Sequence, residues 1–195
     1  MKVLYFDVET TGLNPNVDFV MQLSGLIEVD GEIVDEFNYF MQPPKGTAVS
    51  TEALKVTGKT IEDLRSYPSA QEGFDKFTEL LNKYVKYGSW SDKFYPAAYN
   101  GNFDLQFIDQ MFKRQFAIDK WGYYQNWQLI DPLPVFRALS YAGVIKTYGH
   151  KLSTMCDHFG ISLEAHDALS DVRATRDLVQ VLKNGLKLDL WGNSQ

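Results

Sequence analysis

The stretch Leu4-Tyr5-Phe6-Asp7-Val8-Glu9-Thr10-Thr11-Gly12 sets two carboxylates inside an apolar, strand-like run. Side chains two apart on a strand share a face, so Asp7 and Glu9 stand side by side, where repulsion and desolvation both disfavour ionisation. A cation would remove that conflict, and magnesium and manganese are hard ions that take carboxylate oxygens. One reading is therefore half of a metal site carried by the opening strand. The other makes one acid a solvated edge residue and the second a turn or helix cap beside Thr10-Thr11-Gly12. The segment alone leaves both open.

After the turn Gly12-Leu13-Asn14-Pro15-Asn16, residues 19–29 read as a long strand and Asp30-Gly31 as a hairpin turn. A return strand over residues 32–40 completes a three-strand meander, closed by Pro43-Pro44. Helical patterning follows. Ser69-Ala70-Gln71-Glu72 has the form of a capping box, with Ala70, Phe74, Phe77, Leu81 and Tyr84 at helical spacing behind it. Pro96-Ala97-Ala98-Tyr99 is a candidate buried strand, broken by Asn100-Gly101-Asn102 before a helix carrying Phe103, Phe107, Met111 and Phe112. Asp131-Pro132 reads as an N-cap with proline in the first turn, opening a helix to about residue 142. Residues 151–159 make a short helix stopped at Gly160. In the last helix Ala168, Val172, Thr175, Val179, Leu182 and Leu186 keep one face, with Asn184-Gly185 near its end. Strands that alternate with helices after an antiparallel start indicate an α/β layered domain.

A chain of 195 residues can bury one full core, so a single domain over 1–195 is expected. With 45% hydrophobic and 23% charged residues, disorder is not expected. The lone Cys156 cannot form an internal disulfide, and the opening residues lack an apolar signal core, so a cytoplasmic setting without membrane contact is expected. A net charge of −6 argues against holding long duplexes through nonspecific phosphate contacts. It leaves nucleic-acid enzymes open, because metal-binding acids add negative charge that the bound cations cancel. The pair Lys113-Arg114 could meet a phosphate backbone, but solvated helix charges are the simpler reading.

Two further acids sit at suggestive places. Asp104 follows the strand-to-helix break in Tyr99-Asn100-Gly101-Asn102-Phe103-Asp104, and Asp171 lies one turn inside the last helix, five residues after His166. Each alone is explained by the preference for acids in a first helical turn. With Asp7-x-Glu9 they form three motifs that resemble those of the DEDDh, DnaQ-like 3′–5′ exonucleases: Phe6-Asp7-Val8-Glu9-Thr10-Thr11-Gly12, Tyr99 to Asp104, and His166-Asp167-Ala168-Leu169-Ser170-Asp171-Val172-Arg173-Ala174-Thr175. The resemblance covers nearly the whole chain.

That resemblance implies a ribonuclease-H-like, three-layer α/β/α fold with a mixed five-stranded sheet whose first three strands are antiparallel. It implies that Asp7, Glu9, Asp104 and Asp171 hold two divalent ions, Mg2+ or Mn2+, and that His166 is the general base. Two cations roughly 3.5–4 Å apart stabilise the attacking and leaving oxygens of an in-line phosphoryl displacement, and an imidazole titrating near neutrality can take the proton of the attacking water. The implied substrate is a single-stranded DNA 3′ end, from which nucleoside 5′-monophosphates are released one at a time. A separate polymerase or replication protein is a possible partner.

By position in the motifs, Thr10, Thr11 and Leu13 should border the terminal nucleotide, with backbone N–H groups near its 3′-hydroxyl. Leu54 and Thr57, in Ala53-Leu54-Lys55-Val56-Thr57-Gly58, and Asn100 and Phe103 complete the expected substrate contacts. Leu13 and Leu54 read equally well as core residues. His150 and His158 are assigned to loop and helix surface, Asp167 to a first-turn acid, and Cys156 to an apolar helix position. The segment from Lys120 to Trp127 holds four aromatics, read first as a satellite core under a long connection, with a stacking platform for bases or a partner-docking patch as the other readings. An exoribonuclease using the same site, and an inactive nucleic-acid-binding or scaffold module, remain as alternatives. Contacts to the 2′-position, which distinguish RNA from DNA, are not legible.

Overall fold

The computed structural model describes residues 1–116, 120–164 and 167–185. His166 and Leu186 lie outside the described residues.

Three strands, β1 (Lys2–Thr10), β2 (Val20–Val29) and β3 (Glu32–Phe40), form the antiparallel meander. Asp30 at φ 53° and Gly31 at φ 98° make its second turn, the pair of left-handed residues that a two-residue hairpin requires. β4 (Tyr95–Ala97) lies parallel to β1 on its other side, giving the order β3-β2-β1-β4. The expected five-stranded sheet is therefore corrected to four strands among the described residues. The fifth position is reduced to two isolated parallel bridges, Phe94 with Gln125 and Ala97 with Ile130. It cannot lengthen because Asp131 already caps the next helix and Pro132 has no N–H to donate to a ladder.

Helices α1 (Thr51–Thr57) and α2 (Ile61–Ser66) follow the meander. They escape periodicity reading because six or seven residues complete at most two turns, yet Ser50 and the Thr60–Asp63 capping box start them. α3 (Ala70–Tyr84) has the expected capping box, with Ser69 accepting from the Glu72 N–H and the Glu72 carboxylate from the Ser69 N–H. α4 (Asn102–Phe116), α5 (Pro132–Tyr141), α6 (Leu152–Phe159) and α7 (Ala168–Gly185) follow among the described residues.

Strand alternation sorts the helices into two layers. Leu4, Phe6 and Val8 of β1 face Phe74, Phe77 and Leu81 of α3 and Phe107, Ile108 and Phe112 of α4. Val3 and Tyr5 face the other way, packing with Leu26, Ala97 and Val172 of α7. Outside α7, Phe136 of α5 and Met155 and Cys156 of α6 pack with Ala174 and Leu178. The result is an α/β/α sandwich. Arg176 on α7 reaches Glu28 on β2 at 2.7 Å, where Glu28 is almost fully buried, and breaking such a buried pair costs about 3–5 kcal/mol. The aromatic segment divides: Trp121 and Tyr124 enter the main core, whereas Trp127 is 58% exposed. Among the described residues no helix is long and apolar enough to cross a membrane.

Candidate active site

Asp7 and Glu9 continue the α7-facing side of β1, beyond Val3 and Tyr5. The face changes character there. Opposite Asp7 on β2 is Ser24, and opposite Glu9 is Gln22. Both are buried, and both are satisfied by Asn38 of β3, whose Oδ1 accepts from Ser24 Oγ at 3.0 Å and Gln22 Nε2 at 2.8 Å. This polar strip backs the two acids and escaped the sequence reading, since Gln22, Ser24 and Asn38 are ordinary strand residues until register aligns them.

Asp104 reaches the same place from the first turn of α4. It is 5% exposed, and its Oδ1 accepts the Val8 backbone N–H at 3.0 Å. That N–H is free because β4 accompanies β1 only from Val3 to Tyr5. Asp171 arrives from the first turn of α7. The residue before that helix, Asp167, accepts from the Ser170 N–H at 3.1 Å, as an N-cap does, which gives it a structural role of its own.

Electrostatics tie the four together. Burial raises the Asp7 carboxyl well above the usual carboxylate range, and the charges of Asp104, Glu9 and Asp171 raise it further. Asp104 is pushed up to about 7, chiefly by burial, against the opposing hydrogen bond from Val8. Four carboxylates crowded at one end of a sheet destabilise one another's ionised forms, and a hard divalent ion is the group that relieves this, so an all-oxygen donor set of this kind fits Mg2+ or Mn2+. Among the described residues no three His, Cys, Asp or Glu side chains are already drawn together as a metal-holding group. His166, the expected base, lies outside the described residues.

Beside the acids a groove of about 680 Å³ opens, walled by Val8, Glu9, Thr10, Thr11, Gly12 and Leu13 on one side and by Ala53, Val56, Thr57 and Phe103 on the other. Of the expected substrate contacts, Thr10, Thr11, Leu13, Thr57 and Phe103 line this groove. Leu54 and Asn100 are not on its walls: α1 turns Ala53, Val56 and Thr57 toward the groove, and Asn100 takes a left-handed turn at φ 58° with its N–H on Asp131. Leu13 is 84% exposed, which excludes the core reading. The Thr11 N–H, expected near a substrate hydroxyl, is instead bonded to the Phe19 carbonyl at 2.9 Å. Its hydroxyl donates to Asp18 at 3.2 Å, and Asp18 also accepts the Asn14 N–H at 2.9 Å. Asp18 thus organises the loop that carries Leu13, a role no motif announced.

The Lys113-Arg114 pair is occupied. Lys113 pairs with Asp109 at 2.5 Å, while Arg114 donates to the carbonyls of Asp18 and Pro15 at 2.7 Å and stacks over Phe19. Arg114 clamps the groove loop from behind. Cys156 is buried, and its thiol is pushed up to about 11 by burial and by nearby charges including Asp171.

Comparison with known proteins agrees with this arrangement. The family model described as "Exonuclease", the RNase T family, matches residues 4–179. The chain is 34% identical over 181 residues to the Bacillus cereus protein named DNA polymerase III PolC-type, covering 92% of this chain and 11% of that protein. It is 28% identical over 192 residues to the protein of the same name from Halalkalibacterium halodurans, covering 97% of this chain and 12% of that one. The chain thus spans about a ninth of the length of these relatives. Among solved structures, E. coli exonuclease I in complex with a dA16 oligonucleotide superposes with a TM-score of 0.78 at 23% identity, over 94% of this chain and 41% of that one. The zinc-bound form of an E. coli exonuclease I–single-stranded DNA complex gives 0.79 at 22% identity, over 94% of this chain and 40% of that one. These likenesses carry the fold, and the family match carries the chemistry class: the chain belongs to the RNase T exonuclease family, DnaQ-like members of the ribonuclease-H-like superfamily.

Proposed function

We propose that the chain is a metal-dependent 3′–5′ exonuclease that releases nucleoside 5′-monophosphates from single-stranded DNA ends, in a proofreading or repair role. The observation that supports it most is the convergence of Asp7, Glu9, Asp104 and Asp171 from β1, α4 and α7 on one end of the sheet, with the carboxyl of Asp7 raised by burial first and then by the charges of the other three. The polymerase names of the relatives and the single-stranded DNA bound by the structural neighbours favour DNA as the substrate.

In this reading the four carboxylates would hold two divalent ions, which when bound supply charge stabilisation to the attacking and leaving oxygens. The chain's own residues do the rest. Val8 N–H fixes the Asp104 carboxyl against β1, so one ligand is set before substrate arrives. The apolar groove walls Leu13, Val56 and Phe103 take the terminal sugar and base without reading sequence. His166, five residues before Asp171 in the chain, accepts the proton of the attacking water.

The test is degradation of 5′-labelled single-stranded DNA, RNA and duplex of matched sequence. Successive shortening from the 3′ end with Mg2+ or Mn2+, lost in chelator and lost in a folded Asp7→Ala protein, is expected. Chelator-resistant cleavage, or a folded Asp7→Ala protein with an undiminished rate, would refute the site. A faster rate on RNA would move the substrate to RNA while leaving the chemistry in place.

A further inference from the structure

The connection between α5 and α6 has a charge pattern opposite to that of the chain. Residues 132–156 contain no Asp or Glu but include Arg137, Lys146 and Lys151, in a chain of net charge −6. All three cations are exposed, and none makes an ion pair among the described residues. Alongside them Tyr141 and Tyr148 stand 96% and 86% exposed. Rings this far from any packing contribute little to the fold. Exposed rings beside unpaired cations are the combination that takes a single-stranded polynucleotide, since ring faces stack on any base and the cations meet phosphates.

Its location places this surface beside the acids. The Tyr99 hydroxyl donates to the His150 carbonyl at 2.7 Å, and the His150 ring lies 2.8 Å from Ser140 Oγ. The connection is therefore pinned to the end of β4 that leads into Asn100 and Asp104. From Lys151, α6 runs about 7.5 Å to Cys156, at 1.5 Å per residue, and Cys156 lies within the field of Asp171. A shallow depression of about 490 Å³ lined by Lys146, Thr147, Tyr148, Asp157 and His158 offers room for a base, with Asp157 the one acid on its wall. The other exposed aromatic cluster, Trp90, Tyr123 and Trp127, lies by Lys93 at the opening of β4, the opposite end of the sheet from the carboxylates.

We propose that the exposed face of residues 141–151 holds the part of a single-stranded DNA that lies upstream of the nucleotide at the carboxylates. Tyr148 and Tyr141 stack on bases, and Lys146 and Lys151 contact phosphates. The proposal rests on the exonuclease reading of the neighbouring site.

The experiment measures binding by fluorescence anisotropy in an Asp7→Ala background, which removes hydrolysis. The probes are 5′-labelled oligothymidylates, a dinucleotide and a twelve-nucleotide strand. Lys146→Ala, Tyr148→Ala and Lys151→Ala together should weaken the long strand at least about ten-fold, since one stacking interaction alone is worth roughly five- to hundred-fold. The slope of log affinity against log salt should fall by about 1.4, at about 0.7 for each phosphate that a lysine no longer neutralises. The dinucleotide should bind as before, and Lys146→Arg with Lys151→Arg should keep the slope. Undiminished affinity for the long strand, or equal losses for both probes, would overturn the surface. If the protein with Asp7 intact shortens the strand while the triple variant binds normally, the surface fails and the exonuclease reading stands. If it binds the strand through these residues but never shortens it, the reverse holds. A protein that binds neither probe overturns both.

Discussion

Replacing Asp104 by Asn separates what this acid does for folding from what it does for the site. In the metal-free protein its carboxyl is 5% exposed and pushed up from 3.8 to about 7. Because the native state holds the proton more tightly than the unfolded chain, stability is fully present below about pH 4 and is lost as pH rises toward about 7. At about 1.36 kcal/mol per unit, the ionised Asp104 costs the fold up to about 4 kcal/mol above neutrality, part of it shared with Asp7. The amide oxygen of Asn can still accept the Val8 N–H, so the 3.0 Å bond survives while the charge goes. Asp104→Asn is therefore expected to gain about 2–4 kcal/mol near pH 8 in chelator. At about 2–4 °C per kcal/mol for a chain of this size, Tm should rise by about 5–15 °C. Near pH 4.5 the gain should shrink to about 1 kcal/mol, since the native Asp104 is then neutral while the unfolded carboxyl is still mostly ionised. Calorimetry of both proteins in chelator at the two pH values is the assay, with nuclease activity measured in parallel and expected to be absent in the variant. A Tm difference independent of pH, or a variant less stable than its parent near pH 8, would refute the assignment of burial and crowding as the source of the shift.

Gly12→Ala would place a Cβ 2.5 Å from the Asp18 carboxylate, so Asp18 must release Thr11 and Asn14. KM should rise several-fold with kcat little changed, and steady-state kinetics showing an unaltered KM would argue against the loop's role. Asp131→Ala removes the α5 N-cap together with the acceptor for the Asn100 and Gly101 N–H groups; a loss of about 1–2 kcal/mol with lowered kcat is expected from denaturant titration and single-turnover rates. Trp121→Ala, in the core, should cost about 3–5 kcal/mol, and Trp127→Ala less than about 1 kcal/mol. Equal costs in thermal unfolding would contradict the division of that aromatic segment.

The meander was legible because Asp30-Gly31 fixes both the turn and the register, and β3 begins and ends where the pattern of residues 32–40 does. Helices α3, α5 and α6 were legible through their ends, by the Ser69–Glu72 box, the Asp131-Pro132 start and the Gly160 stop at φ 68°. The shortened fifth strand was not, because its loss depends on where Ile130 falls beside Ala97, a tertiary fact. For the same reason the four acids stand out in the sequence as motif residues, whereas the residues that contact their loops and strands do not. Asp18, Asn38 and Asp131 act through contacts made only after the chain has folded back on itself.

The brevity of β4 is what makes room for this site. In a parallel pair each added residue of β4 would cover another stretch of the β1 edge, and two more beyond the Tyr5–Ala97 pairing would reach Asp7 and compete for the Val8 N–H. Asp104 could then neither take that N–H nor stand beside Asp7. The chain instead leaves the sheet at Ala98, turns through Asn100 in the left-handed region, and is held there by the Asp131 carboxylate at the start of α5. Gly101 is required in that turn, since a Cβ would come within 2.6 Å of the Ala98 methyl. The resulting gap lies at the carboxyl ends of the parallel strands β1 and β4, where open α/β sheets place their ligands. Strand termination, turn and acid are one device: a longer β4 would add backbone hydrogen bonds to the sheet and remove a carboxylate that the proposed site uses.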